Sequence, residues 1–187
     1  MKNLIFIISF LICSSAICQN KRSLLRSGNE LYSDSSFNDA EISYRKSLAK
    51  DQDYFNASFN LADAIYKQER YEEASAIFNA LKDKECSQDN LAKIYHNLGN
   101  SLFKEQKLDE AINAYKSGLR INPNDNETRH NLALCKKQKK EKENQEQNQE
   151  NQEQNQENQE QKQENQEQKQ ENQEQKQENQ EQKQENQ

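Results

Sequence analysis

The residues best suited to chemistry in this chain are few: two histidines, His96 and His130, and four cysteines, of which Cys86 and Cys135 lie in the main body. A metal site or an activated thiol needs such donors to converge on one point, with a third ligand at least for a metal. His130 and Cys135 come nearest to this, but a separation of five is poor for one helix face, and no third donor accompanies them. Three scattered glycines make no phosphate-cradling loop. The sequence therefore predicts a non-catalytic chain with no cofactor and no metal. Charge argues against nucleic acid: Gln19 to Lys142 holds 21 basic and 19 acidic residues, and Glu143 to Gln187 holds 4 basic and 13 acidic. A nearly neutral body and an acidic tail offer phosphate no electrostatic footprint.

The elements that would position any site are clearest between Tyr95 and Pro123. Leu98, Leu102 and Phe103 recur at helical spacing, Leu108 follows a short polar break, and Ala111, Tyr115 and Leu119 recur again. Two amphipathic helices joined by a tight turn give that pattern, and Pro123 stops the second. Gly99, Ala111 and Gly118 are small enough for the helices to cross closely, with Tyr115 filling the space beside them. One hairpin cannot bury its own apolar face, so others of the same period are expected. A shift of 37 residues places Leu61, Ala62, Ile65, Tyr71, Ala74 and Phe78 on Leu98, Gly99, Leu102, Leu108, Ala111 and Tyr115. A further 34 gives Ser27, Gly28, Leu31, Phe37, Ala40 and Tyr44. The three extra residues fall in the polar stretch near Ser87 to Asn90, expected to be a loop.

With its 34-residue period, this pattern resembles the tetratricopeptide repeat family. Ser27, Gln52, Cys86 and Ser58 depart from the residues usual at their positions. The fold expected is all-α: a solenoid of three helical hairpins at 21–54, 55–88 and 92–125, a capping helix at 126–142, and a disordered tail from 143. The cap starts at Asn124 or Asp125, carries Leu132 on the seam, and ends in a basic turn of Lys136, Lys137, Lys139 and Lys140.

The resemblance implies that the first helix of each repeat lines a concave groove for a protein or peptide partner. It places Arg22, Arg26, Asn29, Asn60, Asp63, Lys67, Lys93, His96, Asn97, Asn100 and Lys104 on that face. Both histidines then read as groove-flanking residues. Some family members grip a partner's C-terminal carboxylate through a Lys, Asn, Asn, Lys, Arg set. Asn29, Asn60 and Lys93 match it, whereas Leu25 stands for the first Lys and Asn97 for the Arg. The asparagines have a second reading as braces between helices. The milder expectation is a moderately basic, Asn-rich groove for an acidic or extended peptide.

The ends of the chain set its context. Residues 1–18 read as a signal peptide: Lys2, an apolar run from Leu4 to Ile12, then Ala16 and Cys18 before a cleavage point. An uncleaved anchor is the rival, though Ser14 and Ser15 interrupt the run; lipidation at Cys13 or Cys18 is disfavoured by the bulky Ile before each. Export permits a disulfide, but Cys86 and Cys135 stand a whole repeat apart and read as separate thiols. From Glu143 a heptad of Glu, Asn, Gln and Lys repeats without one apolar residue. Its seam positions are all Glu, and no Lys within the tail lies three or four residues from one to relieve the repulsion. Signal, repeats, closing helix and polar tail together resemble the small tetratricopeptide proteins of the Bacteroides aerotolerance (Bat) gene cluster. That resemblance implies a periplasmic or cell-envelope scaffold of a Gram-negative bacterium, working with membrane proteins that carry von Willebrand factor A domains. An envelope assembly factor or chaperone is the alternative.

Overall fold

The computed structural model describes residues 20–150 and residue 154, in two units, one through Lys136 and one from Lys137. The segment read as a signal peptide lies outside the described residues. The first unit runs through α1 (Lys21–Ser33), α2 (Phe37–Lys50), α3 (Phe55–Lys67), α4 (Tyr71–Leu81), α5 (Gln88–Lys104) and α6 (Leu108–Ile121), and residues 126–136 form α7. Among the described residues there is no strand, and no helix is long and apolar enough to cross a membrane.

The repeat is visible in the turns. Each hairpin closes when an N–H reaches back five residues to a helix carbonyl: Ser36 to Leu31 at 2.9 Å, Arg70 to Ile65 at 3.2 Å and Lys107 to Leu102 at 3.0 Å. The residue before each donor is left-handed, with φ of 60° at Ser35, 63° at Glu69 and 62° at Gln106. No glycine relieves that conformation, which costs about 1 kcal/mol at each turn. The helices that follow lack a side-chain cap. Instead Asp39, Glu72 and Glu73, and Asp109 and Glu110 place negative charge in their first turns, against the positive helix end.

Packing follows the small residues. Ala40, Ala74 and Ala111 hold equivalent positions and are fully buried, as are Tyr44, Phe78 and Tyr115 four residues on. In the first and third repeats the ring lies flat against a glycine. A Cβ at Gly28 would stand 2.4 Å from Tyr44 Cε1, and one at Gly99 2.5 Å from Tyr115 Cε1. The middle repeat has Ala62 and Phe78 at these places. First-type helices touch across repeat boundaries, α1 with α3 and α3 with α5, whereas no such contact joins α2 to α4 or α4 to α6. The stack is thus tighter on the first-type side, which makes that side concave. Outside, Glu41 accepts from Arg45 at 2.8 Å, Gln68 at 2.8 Å and Arg70 at 2.7 Å, linking α2 to the next hairpin turn. Burial alone would raise its carboxyl, but those hydrogen bonds win and hold it below the usual carboxylate range.

Two expectations are corrected. Ser87 to Asn90 is not a loop: α5 starts at Gln88, with the Ser87 hydroxyl accepting from the Asn90 N–H at 3.2 Å. The true connection is 82–87, because α4 has 11 residues where α2 and α6 have 14, and α5 has 17 where α1 and α3 have 13. A helix start was available at Ser87, and the extra residues went into α5. The basic cluster is also not a last turn. In the second unit residues 137–150 are helical, with Lys137 against Glu141 at 3.8 Å and Lys139 against Glu143 at 3.6 Å. These pairs at spacing four draw on lysines before the tail, and residues 143–150 are exposed helix. Apart from residue 154, the rest of the tail lies outside the described residues.

At the cap, Asp125 is the residue that starts α7: its carboxylate accepts from the Thr128 N–H at 2.9 Å and from the Thr128 hydroxyl at 2.6 Å. Leu132 packs against the core and Cys135 is buried within it. No disulfide joins Cys86 to Cys135, as the repeat spacing implied.

Candidate functional site

On the concave face the asparagines are tied to one another across the repeats. Asn29 Oδ1 accepts from the Tyr44 hydroxyl at 3.0 Å and from Asn60 Nδ2 at 2.8 Å. Asn100 Oδ1 accepts from the Tyr115 hydroxyl at 2.9 Å and from Asn131 Nδ2 at 2.9 Å. Between these rungs, Asp63 Oδ1 accepts from Asn97 Nδ2 at 3.1 Å. One repeat position accepts (29, 63, 100) and the other donates (60, 97, 131), so each rung joins a first-type helix to the next. The bracing reading of the asparagines holds for all three rungs.

The third rung extends into a second chain of contacts. Asp125 can only accept, so the Thr128 hydroxyl donates to it, and Thr128 Oγ1 accepts in turn from His96 Nδ1 at 2.6 Å. His96 Nε2 is left to accept from Asn100 Nδ2 at 2.9 Å. His96 thus joins α5 to the start of the cap, with Glu127 3.6 Å from Nε2. Burial would raise the Asp125 carboxyl, but the Thr128 hydrogen bonds hold it below the usual range. His130, by contrast, is exposed. Among the described residues no cluster of three His, Cys, Asp or Glu could hold a metal ion.

The middle rung differs in kind. Phe78 has no hydroxyl, so Asp63 lacks the tyrosine donor that Asn29 and Asn100 receive. Burial pushes its carboxyl up to about 6, with the positive charge of Lys67 acting the other way. Asn29, Tyr32, Ser33, Tyr44, Asn60 and Asp63 line a cavity of about 200 Å³ on one side of it. A second concavity, lined by Asp63 as well as by Lys67, Asn97, Asn100, Tyr32 and Tyr66, adjoins it. Burial pushes the Tyr32 and Tyr44 hydroxyls up to about 12, Asp63 adding to the effect, so both remain neutral donors and acceptors.

Of the sequence-derived groove residues, Asn29, Asn60, Asp63, Lys67, Lys93, His96, Asn97 and Asn100 line these concavities or the adjoining one beside Phe59. Arg22 and Arg26 are exposed on α1 and line none of the three, and Lys104 sits over the Tyr71 ring, 6.0 Å from its centroid. Leu25, at the place of the first clamp lysine, is buried in the core. The sequence reading missed Tyr32 and Tyr66. They occupy one repeat position, a turn beyond Asn29 and Asp63, and that repetition was their signal.

Stacked hairpins with a braced concave face define a helical-repeat protein. Two models described as tetratricopeptide repeat match residues 25–90 and 92–125, together more than half of the chain. The chain belongs to the tetratricopeptide repeat family. A curated relative, Protein STIP1 homolog of Dictyostelium discoideum, is 29% identical over 124 residues, 63% of this chain. The chain spans only 22% of that relative's length. Among solved structures, the first repeat domain of Spaghetti (RPAP3) bound to the HSP90 peptide SRMEEVD matches at 24% identity and a TM-score of 0.57, over 64% of this chain and 92% of that one. The TPR2AB–pHSP90 complex of yeast Sti1 matches at 22% identity and 0.59, over 66% and 48%. YrrB, a repeat protein with an unusual peptide-binding site, matches at 21% identity and 0.55, over 67% and 63%. At these identities the likeness establishes the shared fold.

Proposed function

We propose that this chain is a non-catalytic scaffold that binds an extended peptide or helix of a partner protein along its concave face. The observation that carries the reading is the ladder: three rungs fix neighbouring first-type helices to one another, so the face is preorganised for a ligand. Two of the solved relatives are complexes with HSP90 peptides, which supports a peptide as the ligand class. Setting is a further part of the proposal. The export-type N-terminus and the polar tail support a cell-envelope location and a Bat-type membrane complex with von Willebrand factor A partners, and they rest on the sequence alone.

A C-terminal carboxylate is not the feature we expect the groove to read. Leu25 is buried where the clamp needs a lysine, and Asp63 places a negative charge among the clamp-equivalent asparagines. A peptide with a free C-terminus and its amidated form should therefore bind equally. Purifying the tagged protein from membranes and identifying what accompanies it tests the main reading. One membrane partner supports the scaffold, a broad set of unrelated exported proteins supports the assembly-factor alternative, and no partner at all refutes both.

A further inference from the structure

Three equivalent positions change together in the middle repeat. Where the outer repeats have Gly28, Tyr44 and Asn29, and Gly99, Tyr115 and Asn100, the middle one has Ala62, Phe78 and Asp63. The glycines let a tyrosine ring press close enough for its hydroxyl to reach the asparagine. With Ala62 the same ring position would clash, and Phe78 has no hydroxyl to offer. Asp63 is thus a partly buried carboxylate whose single hydrogen-bond partner among the described residues is Asn97, with no cation within ion-pair distance. A carboxylate has about four lone-pair sites, so most of its accepting capacity is free.

What surrounds that capacity selects a charge. The cavity of about 200 Å³ is lined by Tyr32, Ser33, Asn29 and Asn60 beside Asp63, with the buried Tyr44 at its base. A carboxylate beside a partly exposed aromatic side chain, Tyr32, attracts a cation and repels an anion. Lys67, one turn along α3, shares the second concavity with Asp63 and acts on its charge, but lies beyond ion-pair distance of it and does not line the 200 Å³ cavity. We infer that the cavity beside Asp63 receives the cationic head of a lysine or arginine side chain of the bound peptide, held by the carboxylate and by Tyr32. This rests on the peptide-binding reading above, and it makes the second repeat the point where a partner's basic residue is selected.

The test uses the full chain, labelled for NMR, with N-acetyl-lysine N-methylamide as probe and the norleucine analogue as its uncharged match. The arginine analogue reports whether a guanidinium serves as well, and lysine amide with a free α-amine reports whether a main-chain ammonium competes. Expected are shifts of the Asn29, Asn60 and Asn97 side-chain amides with lysine but not norleucine, and at least a tenfold loss of lysine affinity in Asp63→Asn. Asparagine already serves at positions 29 and 100, so that variant keeps the ladder. Lysine affinity should also fall about tenfold from pH 7.5 to 5, as a carboxyl with a pKa of about 6 is protonated. His96 on α5, Glu127 on α7 and Lys67 share the face, so the Asp63→Asn variant must abolish that dependence. Equal binding of lysine and norleucine, no binding of either, or an unchanged affinity in the variant would overturn the inference. If a membrane partner co-purifies equally with wild type and Asp63→Asn and the lysine probe does not displace it, the scaffold stands and this inference falls. A bound lysine probe with no co-purifying partner would do the reverse.

Discussion

Replacing Asp63 by asparagine gives the middle rung the chemistry of the outer two, and the consequence for stability has a definite sign. The carboxyl titrates near 6 in the folded chain against an ordinary value of 3.8, so it prefers to be neutral where it is buried. Ionised at neutral pH, it costs about 3 kcal/mol, at 1.36 kcal/mol per unit of displacement. Below about pH 4 it is protonated in both folded and unfolded chains and costs nothing. Its contribution therefore makes the wild type less stable as pH rises from about 4 to about 6, and the variant lacks that fall. Asparagine keeps an acceptor for Asn97 but gives up a charge-assisted bond, so the expected gain at pH 7.5 is about 2 kcal/mol. Urea unfolding of both proteins, followed by far-UV circular dichroism at pH 7.5 and pH 4, measures it. Glu41 and Asp125 have depressed carboxyls and work in the opposite sense at lower pH, but both proteins share them and they cancel in the difference. An equal difference at both pH values, or a less stable variant at pH 7.5, would refute the burial argument.

Gly99→Ala should destabilise by about 1–3 kcal/mol in the same assay, because the methyl meets the buried Tyr115 ring, whereas Gly118→Ala should be neutral or stabilising by up to about 1 kcal/mol, its nearest neighbour being the Ala92 carbonyl at 3.4 Å. Gln106→Gly should stabilise by about 0.5–1 kcal/mol by relieving the left-handed residue, and an unchanged urea midpoint would mean that the turn carries no strain. The double change Ala62→Gly with Phe78→Tyr should bring a hydroxyl to Asp63, lower its carboxyl pKa as read by side-chain NMR, and weaken the lysine probe. Phe78→Tyr alone should be worse than the pair, since Ala62 leaves the larger ring no room.

The repeat was legible because its cause is local and periodic. Leu61 and Leu98, Ala40, Ala74 and Ala111, and Tyr44 and Tyr115 recur where a hairpin must bury its seam, and every one of them is buried. The start of the cap was legible to within one residue, Asn124 or Asp125, for the same reason: a capping side chain needs only its neighbours. The α4–α5 connection was not, because Ser87 to Asn90 is polar enough for a loop and equally able to start a helix. Length had to be traded between two elements, and periodicity does not record that choice. The asparagine positions follow from the repeat spacing, but spacing shows where a side chain lies rather than what it holds. That Asn60 reaches Asn29 depends on how closely two helices approach across a repeat boundary.

The ladder also changes what its asparagines are free to do. A side chain that clamps a ligand carboxylate must present an N–H outward, yet Asn60 and Asn97 each commit one N–H to the neighbouring helix. Each keeps a second N–H, so a ligand can be touched without breaking a rung, but the supply of donors along the face is halved. The acceptors are distributed differently. Asn29 and Asn100 each receive two donors at Oδ1, while Asp63 receives one on a group with twice the capacity. The unsatisfied hydrogen-bonding potential of the concave face is therefore concentrated as negative charge at its middle. A partly buried carboxylate that costs stability on a face otherwise braced by neutral amides is the kind of local inconsistency that function explains, and it points to a donor-rich, positively charged group on the partner.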